Sequence, residues 1–138
     1  MAETRVTLIQ RCEANQAWIK AAPFLLPAIE MGDEFTPDQV LSEIESGSMQ
    51  LVTFENGKAY GAVVTDGVTR GNGKKVMRII FAGGTGMDIL LDDIVSTLKR
   101  AAQSSGCNAI EFIGRDGWLK TLAVYGFCKK AIFMELVL

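Results

Sequence analysis

Histidine is missing from all 138 residues. Its absence removes the commonest general base near neutral pH, the commonest zinc ligand and every Ser-His or Cys-His nucleophile pair. Cysteine is scarce. Cys12, Cys107 and Cys128 are odd in number, show no C-x-x-C spacing and sit in or beside apolar runs, which predicts reduced, buried thiols and no metal centre. Long apolar runs are also lacking, since Ala21–Ile29 is nine residues interrupted by two prolines, against the ~20 needed to span a bilayer. No membrane partner is expected, and the opening Met1-Ala2-Glu3-Thr4-Arg5, which is no signal peptide, reads as a cytoplasmic start. A net charge of −2 with 22% charged residues excludes a polyelectrolyte built for nucleic acid or anionic lipid.

What is present is apolar content. At 49% hydrophobic, the chain is long enough for one domain, 1–138, that buries roughly two-thirds of its unfolded surface in one core. Val6–Ile9 reads as a first strand. A helical region follows from about Glu13, and Pro23 and Pro27 are expected to break it into two pieces. Thr36-Pro37-Asp38-Gln39 is a helix start, with Thr36 as N-cap, Pro37 at the first helical position and Gln39 closing a capping box; Gly47 supplies the stop.

Asn56-Gly57 predicts a type I′ hairpin between strands Met49–Glu55 and Lys58–Thr65. A turn-rich stretch, Asp66–Lys74, leads to the apolar run Val76–Ala82, which suits a central strand covered on both faces. After Gly83-Gly84-Thr85-Gly86, residues Leu91, Ile94, Val95, Leu98, Ala101 and Ala102 recur at helical spacing, and Ser104-Ser105-Gly106 closes that helix. Asn108–Ile113 follows as a strand parallel to Val76–Ala82 in a βαβ unit. Then come a short helix, Tyr125-Gly126-Phe127, and the apolar run Ala131–Leu138. That run is expected either to pair in the sheet or to be buried against another subunit.

This order resembles the GNAT family of acetyl-CoA-dependent N-acetyltransferases over nearly the whole chain. The resemblance implies an α+β fold: a mixed central sheet, with an antiparallel meander followed by a βαβ unit whose parallel strands border the cleft. It also implies that coenzyme A pyrophosphate would lie on the turn after the fourth strand, at the Gly84-Thr85-Gly86-Met87 positions. In that family the turn reads Gln/Arg-x-x-Gly-x-Gly/Ala; here the first position is Phe81. Asp88 is expected to cap the following helix and occupy its amides.

The family's fourth-strand carboxylate has no counterpart, because no Asp or Glu lies between Asp66 and Asp88. Its acid tyrosine corresponds to Leu122, and Tyr125, three residues on, would be most of a helical turn away. Tyr60 is read as a half-buried strand residue.

Within that fold, Phe112-Ile113-Gly114-Arg115-Asp116-Gly117-Trp118-Leu119-Lys120-Thr121-Leu122 is similar to small GNAT-like bacteriophage proteins, including an internal virion class. The resulting expectation is a scaffold with degenerate catalytic motifs and no catalytic residues. It would take no cofactor and act through contacts with copies of itself or other virion proteins in the host cytoplasm or a phage particle. The alternative is an acetyltransferase that binds acetyl-CoA at Gly84–Met87.

Three residues stand out as contacts. Arg78 is a charge inside an apolar strand and must reach a carboxylate or a cleft. Arg115 can pair with Asp116 or stay exposed for contact, and Trp118 can plug the core or anchor a partner. Arg70, Lys74, Lys75 and Arg78 form the densest basic run. They lack interleaved aromatics, so nucleic acid is not an expected partner.

Overall fold

In a computed structural model that describes residues 3–138, five strands form one sheet in the order β1-β2-β3-β4-β5: Arg5–Leu8, Gln50–Asn56, Ala59–Thr69, Lys75–Thr85 and Ala109–Phe112. The first three pairings are antiparallel, whereas β4 and β5 run parallel. Helices α1 (Ala14–Gly32) and α2 (Pro37–Ser46) cover one face, where Trp18, Leu25, Ile29, Val40 and Ile44 pack on Leu51, Ala62, Val64 and Phe81. Helix α3 (Met87–Ser104) covers the other, with Leu90, Ile94 and Leu98 on Phe54, Val63, Met77 and Ile79. Leu122 of the short α4 (Gly117–Ala123) lies among side chains of α3 and β5. No described helix is long and apolar enough to cross a membrane.

Both bonds of the expected capping box are present in α2: Gln39 N donates to Thr36 Oγ1 at 3.2 Å, and Thr36 N donates to Gln39 Oε1 at 2.9 Å. The first helix departs from expectation. It is one 19-residue helix after a single 3-10 turn at Arg11–Glu13, and its prolines do not break it. Pro23 and Pro27 are one turn apart on the exposed face, so water can reach the carbonyls that lose their amide donors. Ala14, Trp18, Ala21, Leu25 and Ile29 meanwhile hold the buried face. Tertiary packing outweighs the local penalty.

The β2–β3 hairpin is offset from the expected one. Its loop is Gly57-Lys58, closed by Asn56 opposite Ala59, and only Gly57 has positive φ (60°), the pattern of a type II′ turn. Strands β3 and β4 also run further than the sequence suggests, because Asp66–Thr69 and Gly83–Thr85 join them.

Of the two alternatives for Ala131–Leu138, pairing in its own sheet does not occur, and the expectation of buried thiols fails. Ala131–Leu138 forms no strand, and its large apolar side chains are exposed. Cys12, in the 3-10 turn, and Cys128, in the irregular segment after α4, are exposed, and Cys107, ahead of β5, is half-buried, because none of them lies on the inward face of a helix or strand; all three are free.

One feature of β4 organises the rest. Thr65 pairs with Ile79 and Val64 with Phe81, so Ile80 is an extra residue in the ladder, a β-bulge. The bulge reverses which side chains face which helix: Met77 and Ile79 face α3, whereas Ile80 and Phe81 both face α1. Beyond it, Ala82 packs with the α3 core, and Gly83 turns toward α1, where an added Cβ would come within 2.0 Å of the Phe24 carbonyl oxygen.

Because that obstruction is backbone, Gly83→Ala is expected to destabilise the domain by about 2–3 kcal/mol in urea unfolding. Gly71→Ala, at a position with nothing within 4 Å, should change stability by less than about 0.5 kcal/mol.

Candidate active site

Pairing between β4 and β5 stops where the bulge begins. Val76–Ile79 align with Ala109–Phe112, but Ile80–Thr85 have no strand partner on that side among the described residues. Strand β5 ends at Phe112 while β4 runs on to Thr85, which leaves the β4 edge open at the C-terminal end of the parallel pair, the place where open sheets of this kind hold ligands. Along one lip runs a stretch of β4 edge with backbone donors and acceptors left for another extended group.

At the end of that edge, Gly86 adopts left-handed φ (68°) and starts α3 without any side-chain cap. Asp88 is not the cap expected of it. Gly86 holds that position, which places Asp88 second in the helix, and Ile89 N donates to the Gly86 carbonyl at 3.0 Å. The first amides of α3 are thus not occupied by a carboxylate, and the helix dipole adds partial positive charge there.

An open groove of about 710 Å³ lies between this helix start and α4. It brings together Met87, Arg115 and Trp118, three of the residues singled out in the sequence, with Asp88, Leu91 and Tyr125. The Trp118 ring also packs edge-on against Phe112, with centroids 5.4 Å apart, so it serves the core and the groove wall at once. Arg115 is exposed; Asp116 stands at the N-cap of α4 but makes no side-chain cap bond.

Of the four positions expected to hold the cofactor, Met87 lines the groove, whereas Gly84, Thr85 and Gly86 are not part of its lining. A Cβ at Gly84 would meet the Tyr60 carbonyl oxygen at 2.1 Å, and one at Gly86 the Ala59 Cβ at 2.8 Å, so close packing on the β2–β3 hairpin already requires these glycines. Beneath the groove, Ile79, Ile94, Phe112, Leu122 and Phe127 line an apolar cavity of about 30 Å³. Leu122, at the position of the family's tyrosine, is buried in that lining.

Arg78 lies on the α1–α2 face, away from the groove, and resolves its two alternatives in favour of a carboxylate. It grips Asp66 with two bonds, Nε to Oδ1 at 2.8 Å and Nη2 to Oδ2 at 2.5 Å. This bidentate pair raises the guanidinium pKa further, with Glu34 and Glu111 adding smaller effects. Across the β4–β5 ladder, Arg78 is level with Glu111, whose carboxylate takes two bonds from Arg70 Nη2 at 2.5 and 2.6 Å. Sequence reasoning missed Glu111. It sought a carboxylate on β4, but the parallel register places the β5 carboxylate one rung before β5 ends.

The two tyrosines occupy different settings. Tyr60 is buried against Phe24, with the Lys20 ammonium 4.6 Å from its ring centroid, and burial, helped by the charge of Glu55, pushes its pKa up to about 12. Glu55 is itself held low by hydrogen bonds from Lys20 and then Arg5. Tyr125 is not on α4, which ends at Ala123, so the helical-rotation argument does not govern it. Its hydroxyl donates to Asp92 at the rim of the groove, and that bond raises the phenol pKa.

No family model matches the chain, and no curated protein sequence matches it. Solved structures do. Glucosamine-6-phosphate N-acetyltransferase from Arabidopsis thaliana aligns at 16% identity and a TM-score of 0.62, covering 98% of each chain. Ribosomal-protein-alanine N-acetyltransferase from Brucella melitensis biovar Abortus 2308 aligns at 11% identity and 0.63, covering 99% of this chain and 98% of its own. A predicted acetyltransferase with acetyl-CoA from Clostridium acetobutylicum aligns at 10% and 0.63, covering 98% and 96%. The fold is that of the GNAT acetyltransferases. The expectation of no cofactor is corrected by the last of these, the same fold with acetyl-CoA. The physical reason is that such a fold needs no side-chain motif to present a free strand edge and an uncapped helix start.

Neither phenol should ionise at the ordinary value near 10. Phenolate absorbance is expected to appear later for both, and Tyr125→Phe should leave one step at about 12. For a raised pKa the stabilising effect is complete below pH 10 and lost as pH climbs through about 12. Urea stability of the parent should therefore fall over that window by on the order of 2–3 kcal/mol, and by much less in Tyr60→Phe.

Proposed function

We propose that the protein is an acetyl-CoA-dependent N-acetyltransferase, with the cofactor between β4 and β5 and the acceptor amine on the α1–α2 face. The observation that carries this reading is the end of β5 opposite Ile79, which leaves the β4 edge Ile80–Thr85 open on that side and leading into the uncapped start of α3. The acetyltransferase structures that share the fold support it.

Acetyl-CoA would supply a thioester, an acetyl group activated toward an amine. The chain's part is to bind, orient and handle the proton. Amides of Met87 and Asp88, with the Arg115 guanidinium across the groove, would hold the pyrophosphate, and Arg115 offsets the nearby charges of Asp88 and Asp92. Peptide groups along Ile80–Gly84 would pair with the amides of the pantetheine arm as a further strand would. Apolar walls at Ile79, Phe112 and Trp118 exclude water from the thioester end.

Glu111, one rung before the opening, would take the amine's proton, directly or through water, as the new carbon–nitrogen bond replaces the thioester's carbon–sulfur bond and coenzyme A leaves as a thiolate that solvent protonates. Positioning then contributes much of the rate, which is how a site with few chemical groups can still act. The sequence likeness to phage virion proteins gains no support from the structural likenesses, and no feature of the site favours that role.

Acetyl-CoA at ~100 times its Kd should stabilise the protein by about 2.7 kcal/mol in thermal unfolding. Arg115→Ala should weaken cofactor binding about tenfold by calorimetry, the loss of one charge-assisted contact. Glu111→Gln should lower kcat while leaving that affinity unchanged. Absence of any thermal shift at millimolar acetyl-CoA would overturn the proposal.

A further inference from the structure

Beneath the groove the fold leaves a space that acetyl transfer alone does not need. The cavity of about 30 Å³ is bounded by Ile79 and Ala82 of β4, Ile110 and Phe112 of β5, the inward face of α3 and Leu122 of α4. Every side chain in its lining is apolar apart from the indole N–H of Trp118. A water placed there would lack the two to four polar partners that hold buried water, so the space suits an apolar guest. Met87, Leu91 and Trp118, all half-buried, line both this cavity and the groove, so the two spaces share a border. We infer, on the strength of the donor site proposed above, that the cavity takes the acyl tail of the donor and that butyryl is preferred to acetyl.

Position favours this guest. Ile79, Phe112 and Trp118 wall the thioester end of the proposed donor site, and all three also line the cavity. A chain longer than acetyl therefore continues into apolar space instead of solvent. Met87, unbranched and on the shared border, can change rotamer to admit it.

Size selects the length. One water-sized group needs ~10–15 Å³ of accessible volume, so about 30 Å³ takes about two more heavy atoms. Two methylenes added to acetyl make butyryl. Burying each methylene is worth about fourfold in affinity, so butyryl should bind about 15-fold tighter than acetyl. Beyond that length the cavity is full, and walls packed between a sheet and a helix yield little. A carboxylate at the end of the chain, as in succinyl, would find no partner in this lining.

The test is titration calorimetry of the full chain with the acetyl, butyryl, hexanoyl and succinyl thioesters of coenzyme A. Butyryl should bind about 15-fold tighter than acetyl, hexanoyl no tighter than butyryl, and succinyl more weakly than butyryl. Val63→Ile with Val95→Ile adds two methylenes from the cavity's own walls, at positions outside the groove. That variant should reduce the butyryl advantage to less than about twofold and leave acetyl affinity within about twofold of the parent, with folding checked by circular dichroism. Should it not fold, the chain-length series of the parent decides alone. Affinity that climbs steadily through hexanoyl would overturn the inference, as would a butyryl advantage that persists in the folded variant. Equal binding of acetyl and butyryl would overturn it and leave the proposed activity standing, whereas binding of none of the four would overturn both.

Discussion

The molecule depends on one extra residue in a strand. Ile80 has no opposite number on β3, and accommodating it bends β4 and exchanges the faces to which its side chains turn. Upstream, Met77 and Ile79 belong to the α3 core and Arg78 to the other face; downstream, Phe81 and Gly83 meet α1 and Ala82 packs toward α3. Without the bulge, Gly83 would face the wrong layer, and α1 could not settle against the strand at backbone distance. The β5 ladder ends at the same point. Closure of both cores and opening of the cleft therefore have a common origin.

Chemistry divides cleanly across the two sides of this sheet. The groove side offers amides, an arginine, an indole and a capped phenol, a set suited to a large polyanionic ligand with an apolar arm. The opposite side carries the Asp66–Arg78 and Glu111–Arg70 pairs, which hold two carboxylates in fixed orientation beside the end of the β5 ladder. A histidine-free chain thereby still presents oriented proton acceptors.

Much of the architecture was legible in the sequence because local chemistry specified it. Thr36 and Gln39 named the start of α2, and the spacing of Ile94, Val95, Leu98 and Ala102 named the buried side of α3. The βαβ unit followed from short connections. Other features left no local trace. The run Val76–Ala82 is apolar on both faces, so it has no alternation in which a bulge could register. Pro23 and Pro27 look like breakers until their shared solvent face is known. Asp88 and Gly86 compete for one cap, and only the backbone shows glycine taking it. The groove joins Met87 to Arg115 across the whole βα unit between them, while the Arg–carboxylate pairs cross strands at separations that no spacing rule anticipates.

The contact between Gly83 and the Phe24 carbonyl has a mechanical consequence. Side chains can absorb small displacements by changing rotamer, but a backbone resting on a backbone has no such slack. Helix α1 and the unpaired half of β4 are thus geared together. A displacement of this half of β4 toward α1 would press directly on the helix backbone. Movement at the open β4 edge would thus be felt at α1, on the far face of the sheet, through a contact that has no side chain to soften it.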